Sequence, residues 1–181
     1  MKQQTSRRSP SRGLTLIETT IAIAIAAIIV SVAVPSFRSM QERRTLEGRA
    51  NELATDIHFV RSEAVTRNLS VRMSFRTSAA GSCYVIHTGA ATDCTCSVDA
   101  ATQCSAGALE VKTVRLPAAS GIALYSNVSS MLFAATHGTT SPTGTLRLLD
   151  SQGKAIHHVV NIMGRVRSCS PQGDIPGYRA C

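Results

Sequence analysis

The segment from Leu14 to Val34, LTLIETTIAIAIAAIIVSVAV, is 21 residues long and contains a single charge, Glu18. As a helix it rises roughly 31 Å, the thickness of a bilayer's hydrocarbon core. A carboxylate there costs on the order of 2.5 to 3.5 kcal/mol unless something compensates it, so Glu18 requires a partner. Lys2, Arg7, Arg8 and Arg12 precede the run with no acid among them. That flank predicts a cytoplasmic amino terminus, with everything after Pro35 on the far side of the inner membrane, in the periplasm or beyond. Two processing sites compete on residue type: Ser31-Val32-Ala33 has the small-x-small form of a secretory signal, and Ser11-Arg12-Gly13 stands directly before the apolar run.

Beyond the span the pattern remains helical. Leu46, Ala50, Leu53, Ile57, Val60 and Ala64 recur at steps of four and three, while Arg38 with Glu42, Arg43 with Glu47 and Glu63 with Arg67 form i,i+4 pairs on the wet face. The apolar stripe needs a surface to pack on. Leu69, Val71, Met73 and Phe75 alternate with polar residues, as in a half-buried strand, and further strands are expected at 83–88, 109–116, 121–127, 145–150 and 155–162. Asp150-Ser151-Gln152-Gly153 marks a turn between the last two, which should pair as an antiparallel hairpin. The expected fold is therefore α+β: a long amino-terminal helix on an antiparallel sheet. Its segments are a leader at 1–13, a membrane helix at 14–34, an amphipathic continuation at 35–67 and a sheet domain at 68–181. Residues 89–107 are small and polar, and are expected as a loop inserted between strands.

The six cysteines, at 83, 94, 96, 104, 169 and 181, favour disulfides in a domain placed outside the cytoplasm. Local closure favours Cys169 with Cys181, fixing the tail 164–181 with roughly 3 kcal/mol of chain-entropy stabilisation. Cys83, Cys94, Cys96 and Cys104 would then pair among themselves. A metal site on Asp93, Cys94, Cys96 and Cys104 is the alternative, but the one-residue gap in Cys94-Thr95-Cys96 is tighter than zinc ligands usually show. No metal or cofactor is expected. The histidines at 58, 87, 137, 157 and 158 form no HExxH pair, and no GxSxG or GxxxxGK[ST] occurs, so the pattern points away from an enzyme. Aromatic content of 4% with no tryptophan excludes a binder that stacks nucleic-acid bases on aromatic platforms.

A basic element remains at Gly164-Arg165-Val166-Arg167. In an extended chain Arg165 and Arg167 share one side, with stems about 6.6 to 6.8 Å apart, a separation that lets each reach a phosphate along one strand. By residue type alone the blander account is favoured: two solvated arginines that discourage edge-to-edge pairing. Lys154, Arg147 and Arg179 would widen the patch if folding brought them to the same face.

Three stretches carry a family resemblance. Gly13 followed by Leu14 and by Glu18 at the fifth position after the glycine resembles the type IV prepilin signal, with Leu14 standing where Phe or Met is more usual and Pro35 at mature position 22. The span Leu53-Ala54-Thr55-Asp56-Ile57-His58-Phe59-Val60-Arg61-Ser62-Glu63-Ala64 resembles the helix end typical of the GspH/FimT family of minor pilins and pseudopilins. Gly164-Arg165-Val166-Arg167 is similar to the GRxR motif of that family's FimT branch. The resemblance implies the type IV pilin fold, removal of the leader after Gly13 by a prepilin peptidase, methylation of Leu14, and a Glu18 that meets the amine of a neighbouring subunit. It further implies a single-pass inner-membrane protein that joins other pilins in a pilus at the cell surface. There, Gly164, Arg165 and Arg167 would bind double-stranded DNA for natural transformation. The alternative is a structural subunit, a minor pilin or a type II secretion pseudopilin, that initiates assembly without binding DNA. The cysteine-rich insertion at 89–107 belongs to no family pattern.

Overall fold

The structure is a computed structural model that describes residues 15–105 and 107–181, the side chain of Pro35 excepted. Gly13, Leu14 and the basic leader lie outside the described residues. The chain divides into two units, Met1–Gln41 and Glu42–Cys181, with one helix, α1 (Leu16–Thr66), running through both. In the first unit the described side chains from Leu16 to Val34 are all exposed, and the helix is long and apolar enough to cross a membrane.

The second unit carries the core. After α1 come β1 (Val71–Ser78), β2 (Gly81–Thr88), β3 (Cys94–Thr95), β4 (Gln103–Cys104), β5 (Glu110–Pro117), β6 (Ile122–Ser126), β7 (Ser130–Phe133), β8 (Thr140–Ser141), β9 (Gly144–Asp150), β10 (Ala155–Val160), β11 (Val166–Ser170) and β12 (Arg179–Ala180). They form two five-stranded sheets, ordered β5-β2-β1-β7-β8 and β12-β11-β10-β9-β6, plus the small β3-β4 pair. The helical stripe from Leu46 to Ala64 is buried in one cluster with Met73, Tyr84, Ile86, Met131 and Phe133 of the first sheet and Leu146, Leu148, Ile156 and Val160 of the second. Where one sheet was expected there are two, and β11-β12 is a parallel pair. A single helical stripe flanked by two sheets buries apolar faces that neither sheet could bury alone.

The helix stops where its sequence supplies a left-handed residue. Asn68 has φ +50°, the Leu69 N–H reaches the Ala64 carbonyl (3.0 Å) and the Asn68 N–H reaches Val65 (3.3 Å), the two bonds of a Schellman cap. Leu69, expected on the buried face of a strand, is thereby spent on the cap and is exposed. Two polar contacts join helix to sheets within the core. Asp56, buried on α1, accepts from the Tyr84 hydroxyl (2.6 Å) and Lys112 Nζ (2.7 and 2.8 Å). That carboxylate, after burial itself, drives the Tyr84 phenol well above its ordinary range. Buried His158 of β10 bridges the Ala50 carbonyl (Nε2, 2.9 Å) and Ser168 of β11 (Nδ1, 2.8 Å).

The insertion at 89–107 is more than a loop. It folds into β3 and β4 over the outer face of the first sheet, where Cys83, Val85, Cys94 and Cys96 form a second small core. The disulfides Cys83–Cys96 and Cys94–Cys104 staple it, and Arg115 of β5 ties it down by donating to the carbonyls of Ser97 (2.9 Å) and Ala100 (3.3 Å). This cover buries β2 on both faces, which explains its continuous run of buried residues from Ser82 to His87.

Candidate nucleic-acid interface

The five residues between β10 and β11 turn the chain back, and a set of hydrogen bonds to backbone N–H groups fixes the direction in which it leaves. Asn161 Oδ1 accepts the N–H groups of Met163 and Arg165 (3.0 Å each), and the Gly164 N–H returns to the Asn161 carbonyl (2.8 Å). Gly164 sits at φ +68°, a conformation that opposes any side chain with a Cβ. Space opposes it too, since a Cβ there would lie 2.7 Å from the Gly138 carbonyl oxygen. The glycine is therefore demanded by the turn and by its neighbour. Asn161 is absent from the residues expected at the site, although an asparagine three residues before a glycine is a turn signal.

The segment beyond is not a tail after the last strand but a strand itself. β11 pairs antiparallel with β10 through His157↔Cys169, His158↔Ser168, Val159↔Arg167 and Val160↔Val166. β12 covers only Cys169 and Ser170, so the stretch Val166–Ser168 has one open edge. Val166 packs against the core while Arg165 and Arg167 are exposed, the alternation of a strand with one buried face.

Register then decides which other cations share that outer face. One row across the sheet reads Tyr125, Arg147, His157, Cys169, Arg179, and the next contains Thr145, Val159 and Arg167. At one strand spacing per step, Arg147 to Arg179 spans about 14 Å, with Arg167 and Arg165 set above that row. Lys154 has the opposite parity, at the far end of the β9–β10 hairpin, and lies off this face. The Cys169–Cys181 disulfide occupies the middle of the face, its Cys181 sulfur 3.8 Å from His157 Nδ1. Burial first, then the neighbouring Arg147 charge, lowers the His157 pKa below its usual value.

The charges on this face have no counterparts. Residues 144–181 hold five basic side chains and two acids. Both acids serve the backbone or a hydroxyl: Asp150 accepts the N–H groups of Gln152 and Lys154, and Asp174 accepts from Ser170. Among the described residues none of Arg147, Arg165, Arg167 and Arg179 has an ion-pair partner. Elsewhere Arg43, Arg49, Arg67 and Lys112 are paired with Glu47, Glu52, Glu63 and Asp56 respectively, whereas Arg38, Arg44, Arg61, Arg72, Arg76 and Arg115 also lack an ion-pair partner among the described residues. Four unpaired guanidiniums spread over a rigid sheet face suit a ligand carrying regularly spaced anionic oxygens.

The family model for the type II transport protein GspH matches residues 49–164, and that for the prokaryotic N-terminal methylation motif matches residues 8–34. The GspH match ends at Gly164, so Arg165, Arg167 and Arg179 lie past it. No curated protein matches the chain in sequence. Among solved structures, the type IV minor pilin FimU of Pseudomonas aeruginosa is similar in two crystal forms. The first is 19% identical, with 72% of this chain and 96% of FimU covered and a TM-score of 0.53. The second is 16% identical, with 70% and 97% covered and a TM-score of 0.50. This likeness establishes the type IV pilin fold.

Proposed function

The chain belongs to the GspH family, the minor pilins and pseudopilins of type IV pili and type II secretion systems, and from that premise we propose that it binds duplex DNA through the outer face of its second sheet. The supporting observation is the set of four unpaired arginines, 147, 165, 167 and 179, that strand register brings to one face. Arg167 on the open-edged stretch and Arg165 directly before it contact phosphates first; Arg147 and Arg179 flank them. Contacts of this kind position a duplex without reading its bases. Two to four of them give weak, sequence-independent binding, with log affinity falling against log salt by about 0.9 per phosphate neutralised. Several copies in one filament add avidity.

The same reading anchors the protein in the inner membrane by the apolar segment 14–34 before assembly. The prepilin peptidase removes residues 1–13, Leu14 becomes the methylated amino terminus, and Glu18 is neutralised by the amine of the next subunit. Mass spectrometry of the purified product should find amino-methylated Leu14. A product beginning at Val34, or one intact from Met1, would remove the filament from the proposal. DNA captured by such a filament at the cell surface would supply natural transformation.

Fluorescence anisotropy on the full chain in a mild non-ionic detergent tests the DNA face. Arg165→Gln with Arg167→Gln should lower affinity for a labelled duplex and reduce the salt slope by about 1.8. Unchanged affinity refutes the assignment. The second reading, a structural subunit that primes assembly of a pilus or a type II secretion pseudopilus without nucleic acid, is favoured by the GspH match itself, which ends before Arg165, Arg167 and Arg179. It predicts no duplex binding and an assembly defect on deletion.

A further inference from the structure

Arg61 is the half-buried arginine whose surroundings the proposed DNA face does not explain. Its stem runs between two glycines in positive φ, Gly138 (+61°) and Gly164 (+68°). A Cβ on Gly138 would lie 2.7 Å from Arg61 Cγ, and one on Gly164 would lie 3.0 Å from Arg61 Cδ. The two turns are also tied to each other, the Thr140 N–H donating to the Ile162 carbonyl at 2.8 Å. Such a passage is made by backbone that side chains would have blocked.

Arg61 belongs to an open cleft of about 400 Å³ whose other lining residues are His58, Ser62, Val65, Thr66, Thr136 and His137. Besides the apolar Val65, the lining is three hydroxyls, two imidazoles and one permanent cation, with no carboxylate in it. The nearest acids along the helix are committed elsewhere: Glu63 to Arg67 at 2.5 Å, and Asp56 to Lys112 and Tyr84. His137 shares a hydrogen bond with Thr136 Oγ1 (3.0 Å), which holds its ring at the rim. At the same junction Thr140 Oγ1 is the one buried side-chain polar atom without a hydrogen-bond partner among the described residues. It would lie 3.2 Å from a Gly164 Cβ. A partly desolvated guanidinium without a carboxylate, ringed by donors, is built for a tetrahedral oxyanion.

We infer that this cleft is a phosphate site, with Arg61 as its charged anchor and His58 and His137 at its sides. Resting on the DNA reading above, it takes one further backbone phosphate of the duplex held by Arg165 and Arg167, because Gly164 is the wall between the cleft and the arginine strand. A bound backbone phosphate thus bears on α1 and the Gly138 turn as well as on the sheet, so the interface includes the helix end and not only the motif after β10.

The test uses the full chain in detergent, a labelled duplex and salt titrations of wild type, Arg61→Gln, Arg61→Lys and His137→Gln. Arg61→Gln should reduce the salt slope by about 0.9, Arg61→Lys should restore it, and both effects should persist when Arg165 and Arg167 are already Gln. His137→Gln, at an exposed loop position, should weaken affinity even if Arg61→Gln fails to fold. A slope and affinity untouched by the Arg61 and His137 changes, while Arg165→Gln with Arg167→Gln weakens binding, overturns the cleft and leaves the DNA face standing. If wild type binds no duplex, the DNA reading falls, and inorganic phosphate becomes the probe, monitored by the ring resonances of His58 and His137. Saturable shifts lost in Arg61→Gln then support a site for free phosphate. Their absence overturns the cleft as well.

Discussion

Acidification should loosen the domain through one histidine. The Ala50 carbonyl only accepts, so His158 Nε2 carries the hydrogen and Nδ1 is left to accept from the Ser168 hydroxyl. The fold thus holds the neutral ring, and burial pushes its pKa from 6.5 down to about 4, the Ala50 bond opposing the shift only in part. Between those values the unfolded chain binds the extra proton and the folded chain does not. Stability is therefore complete above about pH 7 and declines as pH falls through 6.5 toward 4. The linkage relation gives a loss of about 2 kcal/mol between pH 7 and pH 5, and about 3 kcal/mol by pH 4 and below. For a domain of this size the first figure lowers Tm by about 8 °C. His87 and His157 are shifted in the same direction, so the assay compares thermal unfolding of wild type with His158→Gln across pH 7 to 4.5. The wild type should show the steeper dependence by about 2 kcal/mol, and an NMR titration should find the His158 ring neutral at pH 5. A ring that titrates above 6, or equal slopes in the two proteins, refutes the reasoning.

Three further outcomes are expected from the packing. Asp56→Ala strands the buried Tyr84 hydroxyl and frees Lys112, and should cost about 1 to 3 kcal/mol in denaturant unfolding, with much of that cost absent when Tyr84 is already Phe. Gly164→Ala forces a Cβ into a left-handed turn, losing at least about 1 to 2 kcal/mol before the clash with the Gly138 carbonyl is counted, and should lower both Tm and duplex affinity. Replacing Cys169 and Cys181 together by Ser should remove about 3 kcal/mol from unfolding stability and raise hydrogen exchange along β11 and β12.

The period of the helical stripe, the hairpin around Asp150–Gly153 and the pairing of the two tail cysteines depend on neighbours within a turn or a short loop, so local sequence carries them. The Leu14–Val34 run and the position of Glu18 are equally local, since length, apolarity and a lone charge constrain a membrane span with no tertiary contact needed. Strands β7, β8 and β12 were not legible because four or two residues give too little pattern, and β7 also pairs with β1, far back along the chain. The burial of β2 on both faces was likewise invisible until the stapled insertion covered it.

The arginine pair at 165 and 167 can be read from alternation alone. That Arg147 and Arg179 join it, that Lys154 does not, and that Arg61 reaches the back of Gly164 are facts of register and crossing chain paths. Strand parity is set by which face each strand buries against α1, and only the assembled core makes that choice.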